Sequence, residues 1–199
     1  MTTTKASNPT RERLLAAARE EFSLHGVAGA RVDRIAESAG VNKERIYGHF
    51  GSKDRLFDAV VAAALDEIAA STPLTEDGDP AEYVGRVYDF HRSDPTLLRL
   101  LLWEALHYRE TPLPNEGERA EHYRRKAETL SRSLGKPVSP RVAATLLTLI
   151  GLAAWPIAVP QMARLIIGEP TDAPEFAVLM RAHLVEFARK ALAAEGHQG

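Results

Sequence analysis

The sequence predicts an all-helical protein in which a small helix-turn-helix domain precedes a larger helical bundle. Apolar residues recur at spacings of three and four along most of the 199 residues, as they do on the buried face of a helix. Segments rich in proline and glycine separate these stretches, and no alternating strand pattern or internal repeat is visible. We therefore expect about nine helices, in a chain long enough to bury a substantial core.

The first helix is predicted to begin at Pro9, with Asn8 as its cap, and to stop near Gly26. Its inward face is expected to carry Leu14, Leu15, Ala18 and Phe22. This pattern gives the helix one apolar side that other helices must cover.

Two short helices joined by a tight turn are predicted between Val32 and Phe50. The first has its apolar face at Val32, Ile35, Ala36 and Ala39. Gly40 follows, where a helix commonly ends in the left-handed conformation that glycine adopts easily. Asn42 is a favourable N-cap for a second helix from Lys43 to about His49, with Ile46 turned inward.

The outward side of this second helix combines cationic and aromatic groups: Lys43, Glu44, Arg45, Tyr47 and His49. A helix presented in this way is typical of the recognition helix of a helix-turn-helix, which enters the major groove of DNA. A packed helical hairpin without DNA function has similar apolar spacing, so the spacing alone does not decide between them. The IYGHF block followed by GSK favours DNA binding.

Four spaced blocks in Arg11 to Val60 resemble the amino-terminal signature of TetR-type transcriptional repressors. They are the amphipathic first helix ending in Phe22 and Gly26, then IAESAGV, then IYGHF, then GSKDRLFDAV. The resemblance implies a homodimer that binds a palindromic operator in double-stranded DNA and is released by a small-molecule effector, and the lack of cysteine and of a signal-peptide pattern makes the cytoplasm the expected location. It implies neither a metal nor a cofactor, and the sequence identifies neither the effector nor the operator.

The resemblance and the side-chain chemistry together assign roles within the DNA-binding domain, which we place at residues 1–55. Phosphate contacts are expected from Arg31, Tyr47, His49 and Lys53, and base contacts from Lys43, Glu44 and Arg45 beside the cap Asn42. Glu44 is also favoured at the start of a helix by the helix dipole, whatever it contacts. The chain departs from the family at Ala30 and Arg31, where a pair of threonines usually supplies a cap and a phosphate contact.

Residues 56–199 are predicted to form the ligand-binding and dimerisation domain. Ser52 should cap a fourth helix that continues without a break past Ile68, and so should connect the two domains rigidly. Further helices are expected at about 80–92, 95–109, 116–135, 140–167 and 174–195, with Pro156 and Pro160 bending the fourth of these.

The distribution of charge favours a basic DNA-binding domain followed by an acidic domain. Residues 1–55 contain ten Lys and Arg against seven Asp and Glu, whereas the rest contains fifteen against twenty. The chain has no cysteine, which removes disulfides and thiolate metal sites. Its first thirteen residues lack the apolar core of a signal peptide, and proline, glycine and arginine interrupt the most apolar stretch, so we expect no membrane span.

Broad apolar faces on the last two long helices are candidates for a dimer interface, formed as a four-helix bundle according to the resemblance. The residues concerned are Val142, Leu146, Leu149, Ile150, Ala153, Ile157, Leu165, Phe176, Leu179, Met180, Leu184, Phe187 and Leu192. Ordinary core packing is expected to account for about half of them.

The effector site is expected among large side chains with polar tips in the middle of the chain. The candidate ligand-binding residues are Tyr88, His91, Trp103, His107, Trp155 and Gln161, with Glu104, Tyr108 and Met162 as further members of this group. Aromatic residues at helical spacing are more often part of a core, which is the competing interpretation.

An enzymatic function is the remaining alternative. Glu104 and His107 form one Glu-x-x-His, which is half of the motif pair in a helical carboxylate-metal site. The chain has no second copy, no glycine-rich phosphate loop and no nucleophile elbow. A DNA-binding module without a small-molecule sensor is the third possibility, and an enclosed cavity would argue against it.

Overall fold

The computed structural model describes the backbone of residues 9–196 and the side chains of residues 9–194. Over this range the chain forms ten helices and no strand, which confirms the all-helical fold class. They are α1 (Pro9–Gly29), α2 (Val32–Ala39), α3 (Lys43–Phe50), α4 (Lys53–Ser71), α5 (Pro80–Ser93), α6 (Thr96–Tyr108), α7 (Glu116–Ser133), α8 (Pro140–Ala158), α9 (Pro160–Ile167) and α10 (Pro174–Gly196).

The number of helices corrects the expected nine. The stretch 140–167 forms two helices, because Val159 leaves helical geometry (φ −128°, ψ 63°) and Pro160 opens the next helix. Proline lacks the N–H that would continue the first helix and is well suited to start a new one. Pro156 lies inside α8, which continues through it to Ala158.

The helix-turn-helix is built as the sequence predicts. Gly40 is left-handed (φ 65°, ψ 39°) and ends α2, and the N–H of Val41 donates to the carbonyl of Ala36 at 3.0 Å. The side-chain oxygen of Asn42 accepts from the N–H of Arg45 at 3.3 Å and caps α3. Ser52 caps α4 in the same way, accepting from the N–H of Arg55 at 3.1 Å. The predicted cap Asn8 lies outside the described residues.

Buried apolar side chains from each of α1 to α4 hold the first unit together. Phe22 of α1 meets Phe57 of α4 edge to face, with ring centroids 5.2 Å apart. The fully buried side chains here include Leu14, Phe22, Ile35, Ile46, Leu56 and Phe57. Because Ile46 is among them, the opposite side of α3 is held outward.

The helices group into two compact units. The first contains the described residues up to Glu67 together with Arg99–Pro112, and the second contains Ile68–Leu98 and the chain from Leu113 onward. Most of α6 therefore belongs, by its packing, to the unit that contains the helix-turn-helix. The functional boundary at residue 55 stays a prediction.

In the second unit α5 is the central helix and packs on α8 and α10. Its buried side chains Tyr83, Val84, Val87 and Tyr88 form a core with Leu146 and Leu149 of α8, Leu184 and Val185 of α10, and Ala127 and Leu130 of α7. This packing leaves one side of α8 and of α10 uncovered.

The structure divides the candidate dimer residues into three groups. One group is buried in the chain's own core: Val142, Leu146, Leu149, Ala153, Phe176 and Leu184. A second group is exposed and comprises Leu165, Leu179 and Phe187. Three further exposed residues join it that the sequence analysis did not assign to the interface: Leu147, Trp155 and Val178. Ile150, Ile157, Met180 and Leu192 are partly buried at the edge of the core.

One helix in the described part of the chain, α8, is long and apolar enough to cross a membrane. The interruptions by glycine and proline therefore do not keep this stretch below the criterion, which rests on length and composition alone, and the expected absence of a membrane span stays a prediction. A helix that packs in a protein core or interface has the same length and composition, and the core packing of Leu146, Leu149 and Ala153 is of that kind.

Candidate nucleic-acid interface

The outward side of α3 carries the side chains predicted to contact DNA. Six polar or aromatic residues share it and are exposed: Asn42, Lys43, Glu44, Arg45, Tyr47 and His49. We call these six residues the recognition surface. Tyr47 is 44 % exposed although it is a large aromatic, which is unusual for a side chain with only a packing role.

Lys43 and Arg45 differ in how they are held. The ammonium of Lys43 lies 2.8 Å from a carboxylate oxygen of Asp33 on α2, and this hydrogen bond raises the pKa of Lys43. Arg45 has no ion pair with any described residue. Arg45 is therefore free to contact a base edge, whereas Lys43 must leave a carboxylate first.

The missing threonine cap of α2 is replaced from α1. The side chain of Arg31, the N-cap residue, makes no capping hydrogen bond. Instead, the carboxylate of Glu21 accepts from the backbone N–H of Arg31 at 2.8 Å. It also accepts from Nε of Arg34 at 2.9 Å. Burial raises the pKa of Glu21, but the hydrogen bonds from Arg34 and from the Arg31 amide outweigh it and lower the pKa. The side chain of Arg31 stays exposed, as a phosphate contact requires.

Lys53, at the start of α4, is less free than the sequence suggests. Its ammonium donates to the backbone carbonyl of Ala30 at 3.3 Å and the side chain is half-buried. This contact joins the start of α4 to the segment before α2. A phosphate contact by Lys53 stays a prediction and would have to be made beside that hydrogen bond.

Sequence reasoning missed one cation near the recognition surface. An open groove is lined by Arg13 of α1, Glu37 and Gly40 at the end of α2, and Asn42 and Arg45 at the start of α3. Two arginines from different helices thus line one groove. Arg13 is 29 residues before Asn42 in the sequence, so only the fold could place it there.

Two of the candidate ligand residues, Trp103 and His107, lie in the first unit. The indole of Trp103 lies against Gly26, and its N–H donates to the carbonyl of Ser23 at 3.3 Å. His107 contacts the ring of Phe57, and its Nε2 lies 3.5 Å from a carboxylate oxygen of Asp54. A ligand role for these two residues stays a prediction, but their observed contacts are with α1 and α4.

The neighbour of His107, Tyr108, adds a further link within this unit. Its hydroxyl donates to a carboxylate oxygen of Asp58 at 2.6 Å. Burial is the main cause that raises the pKa of Asp58, and it also raises the pKa of Tyr108. The carboxy-terminal half of α6 is therefore fastened to α1 and α4 by side chains from three of its positions.

Tyr88 and His91 are the candidate ligand residues that the structure places together. They lie one turn apart on α5 and are almost completely buried. The Tyr88 hydroxyl and Nδ1 of His91 have no hydrogen-bond partner among the residues that the structure describes. Burial lowers the pKa of His91 to about 4, so the ring is neutral at pH 7.

The other two candidates do not join them. Trp155 on α8 and Gln161 on α9 are exposed, and the further candidate Met162 is exposed as well. Trp155 instead lies on the uncovered apolar side of α8. The structure thus gives no single group formed by all six candidate residues.

Among the described residues, no group of three or more His, Asp or Glu side chains is placed to hold a metal ion. Glu104 is buried in α6, while His107, one turn later, faces Asp54. The Glu-x-x-His motif therefore provides no support for a carboxylate-metal enzyme.

Family models match both parts of the chain. The model described as bacterial regulatory proteins of the tetR family matches residues 14–60. The model described as the tetracyclin repressor-like C-terminal domain matches residues 79–190. The first match covers the helix-turn-helix, and the second covers most of the second unit.

Known relatives agree with these matches. The transcriptional repressor SCO4008 of Streptomyces coelicolor is 40 % identical over 162 residues, which is 80 % of this chain and 84 % of that protein. The repressor NicS of Pseudomonas putida is 33 % identical over 105 residues, about half of each chain. The crystal structure of the transcriptional regulator SCO4942 of Streptomyces coelicolor has a TM-score of 0.76 at 28 % identity and covers 92 % of this chain and 97 % of its own.

These relatives are transcriptional regulators, and the helix-turn-helix with its exposed α3 is the part of the chain that the tetR family model matches. Both family models are of the TetR family, and the relative that matches along four-fifths of the chain is a transcriptional repressor. The chain belongs to the TetR family of DNA-binding transcriptional regulators.

Proposed function

We propose that this protein is a repressor that binds a palindromic operator as a homodimer and is released by a small-molecule effector. The observation that supports DNA reading most directly is the recognition surface on α3, whose helix is capped by Asn42 and anchored by the buried Ile46. Its groups include the donors and acceptors that read base edges. Function would be exercised on chromosomal DNA in the cytoplasm.

The homodimer is proposed from the uncovered apolar sides of α8 and α10. Leu147, Leu179 and Phe187 are all more than half exposed in the single chain. Contiguous exposed apolar surface on helices of this length is typical of an interface between subunits. Two copies related by a two-fold axis would present two recognition helices, and so require an operator with two-fold symmetry.

We propose that the effector releases the protein from its operator by changing the distance between the two recognition helices. Two half-sites lie about 34 to 36 Å apart along the duplex, so the recognition helices must keep this spacing. An effector that binds better to a conformer with another spacing lowers operator affinity, and a coupling of about 1 to 3 kcal/mol weakens binding roughly 5 to 150-fold. Tyr88 and His91 are our candidates for effector contacts, because their buried polar atoms lack partners.

The DNA-binding part is tested by selecting duplexes from a random library with the purified full chain. We expect the selected duplexes to contain an inverted repeat, and fluorescence anisotropy to show tight binding that falls steeply with salt. The variant Arg45→Ala should bind the selected duplex more weakly and relax the preference at one position in each half-site, whereas Lys190→Ala, at an exposed position of α10, should bind as the wild type does. Recovery of sequences without symmetry would contradict the palindromic operator.

The effector part is tested by titrating small molecules from a metabolite library into the protein bound to a selected duplex. We expect at least one compound to lower operator affinity, and linkage then requires the operator to lower the affinity for that compound by the same factor. If none changes operator affinity, the DNA-binding function stands and the sensor does not. The chain would then be a DNA-binding module controlled in another way.

A further inference from the structure

The open groove at the helix-turn-helix brings a cation of α1 to the start of α3. We call it the turn groove, because it lies where α2 ends at Gly40 and α3 begins after Asn42. Its charged lining residues are Arg13 of α1, Glu37 of α2 and Arg45 of α3. Two arginines against one glutamate give the groove an excess of positive charge.

Arg13 lies against the turn without being neutralised there. Its Nη1 is 3.9 Å from the position that a Cβ of Gly40 would occupy, so the guanidinium is beside the backbone where α2 ends. The side chain is exposed and has no hydrogen bond or ion pair with any described residue. Glu37 lines the same groove but forms an ion pair with neither arginine. The charge of Arg13 therefore has no partner within the described chain.

The other two arginines of α1 do have contacts that explain their positions. Arg19 pairs with Glu67 of α4 at 2.6 Å. Arg11 lies over the ring of Phe50, the last residue of α3, with its guanidinium carbon 5.5 Å from the ring centroid. The first turn of α1 therefore runs beside α3, and Arg13 is the arginine of this helix that is left for another partner.

The place of the turn groove indicates what that partner is. In a helix-turn-helix bound to DNA, the start of the recognition helix contacts base edges, while the helix before it crosses the sugar-phosphate backbone. The turn groove lies between these two regions, at the end of α2 and the start of α3. A cation that reaches this groove from α1 is therefore beside the backbone that borders the major groove.

We propose that Arg13 is a DNA-binding residue whose guanidinium holds one phosphate of the operator backbone in each half-site. A guanidinium offers a planar fork of donors that matches two oxygens of a phosphate. Arg45, which lines the same groove, would read a base edge, and the phosphate held by Arg13 would fix the register of α3 on the duplex. This inference rests on the proposed operator binding and adds a residue of another helix to the recognition surface.

The variant Arg13→Gln removes the charge and keeps a long side chain that is compatible with a helix. Because a phosphate contact does not depend on base sequence, we expect it to weaken binding to the selected operator and to random duplexes alike, by roughly tenfold. The dependence of log affinity on log salt should become less steep by about 1 for each bound subunit. Fluorescence anisotropy of the full chain at several sodium chloride concentrations measures both. Arg13→Lys keeps the charge and should keep the salt slope.

Two comparisons separate a DNA contact from other roles of this charge. Arg125→Gln removes the same charge from an exposed position of α7 in the second unit, and should bind operator and random duplexes as the wild type does. Urea unfolding of Arg13→Gln should match that of the wild type, because the guanidinium has no partner among the described residues. A loss of DNA affinity without a loss of stability then belongs to the contact with DNA.

Duplexes with a methylphosphonate at one backbone position at a time identify the phosphate. This substitution removes the negative charge of that phosphate, so at the position held by Arg13 it should weaken binding by the wild type roughly tenfold. The same duplex should bind Arg13→Gln no more weakly than the unmodified duplex does, because the two changes remove one interaction. In a palindromic operator the equivalent position of each half-site should respond in the same way.

Three results would overturn the inference: unchanged affinity and salt slope in Arg13→Gln, loss of preference at one base pair in that variant, or no backbone position at which the two changes are coupled. The second of these would make Arg13 a base contact. If the wild type selects no duplex, the proposed function and this inference fail together. A selected operator that Arg13→Gln binds as tightly as the wild type would leave the proposed function in place and overturn this inference alone.

Discussion

At the scale of single residues, the two cations that begin α3 should have different effects on DNA binding. Arg45 has no ion pair with the described residues and can form the bidentate contact with guanine that arginine favours. Arg45→Ala should therefore weaken binding to a selected operator by about 1 to 3 kcal/mol and relax preference at one position in each half-site. Anisotropy on the operator and its single-position variants measures both. Equal losses on operator and random DNA would instead make Arg45 a phosphate contact.

Asp33 should restrain DNA binding through Lys43. The ammonium of Lys43 is held 2.8 Å from the Asp33 carboxylate, so contact with DNA has to replace that ion pair. Asp33→Asn should raise affinity for random DNA and steepen the dependence of log affinity on log salt by about 1, since one more cation is then available to phosphates. The control is Glu37→Gln, which removes a carboxylate from the same helix but has no ion pair with Lys43. An unchanged salt slope in Asp33→Asn would contradict this role.

His91 should make the protein less stable in mild acid. Its pKa is about 4 when folded and about 6.5 when unfolded, so between these values the unfolded chain binds more protons. Its contribution to stability is therefore complete above pH 6.5, falls as the pH decreases through this window, and is absent below pH 4. The full difference is about 3 kcal/mol at most. Urea unfolding at pH 7, 6 and 5 should show a smaller loss for His91→Phe than for the wild type, and parallel losses would contradict the assignment.

The residues that could be predicted from sequence are those whose partners are close along the chain. Asn42 caps a helix three residues away, and Gly40 ends a helix at its own position, so local spacing was sufficient for both. Glu21 caps α2 from ten residues away, on another helix, and Arg13 reaches the α2–α3 turn from α1. No local pattern contains such contacts, because they exist only after the helices pack.

At the scale of helices, Gly26 and Trp103 show how α6 is joined to α1. Gly26 interrupts α1 with φ 63° and ψ −179°, and a Cβ placed there would lie 2.7 Å from two carbons of the Trp103 indole. A side chain at residue 26 is therefore excluded both by backbone geometry and by the ring that covers it. From the sequence, the large aromatic side chain of Trp103 indicated a ligand pocket. An aromatic residue that packs on a glycine looks the same in the sequence, so the sequence could not distinguish the two.

Gly26→Ala should destabilise the protein by about 2 to 5 kcal/mol, combining left-handed strain with overpacking. Gly48→Ala is the matched control, because a Cβ at residue 48 meets no atom within 4 Å and alanine favours a helix. Urea denaturation compares the two. Replacing Trp103 with leucine in the Gly26→Ala background should recover the overpacking part and leave the strain. No recovery would mean that the ring is not what excludes the side chain.

At the scale of the whole molecule, sequence reasoning predicted the order of the helices but not their grouping. The spacing of apolar residues shows which side of a helix is buried. It does not show which other helix covers that side. Most of α6 consequently packs with the helix-turn-helix, although it follows α5 of the second unit. Pro160 likewise made the expected long helix into α8 and α9, because a proline can start a helix as well as bend one.

The proposed dimer predicts a thermal midpoint that depends on protein concentration. Association of folded chains stabilises them by mass action, so dilution should lower the midpoint until the dimer dissociates. Leu179→Glu and Phe187→Glu, on the exposed side of α10, should abolish this dependence and yield a monomer by analytical ultracentrifugation. Ala182→Glu, at another exposed position of α10, tests whether the added charge alone has this effect. A concentration-independent midpoint in the wild type would argue for a monomer.

The proposed dimerisation through the uncovered apolar sides of α8 and α10 would also determine how a promoter responds to the amount of this protein. When most chains are monomeric, the dimer concentration rises with the square of the chain concentration. Doubling synthesis would then raise operator occupancy about fourfold at low occupancy, whereas a monomeric reader would only double it. A few apolar side chains outside the recognition surface would thereby convert a graded change in gene dosage into a sharper change in transcription.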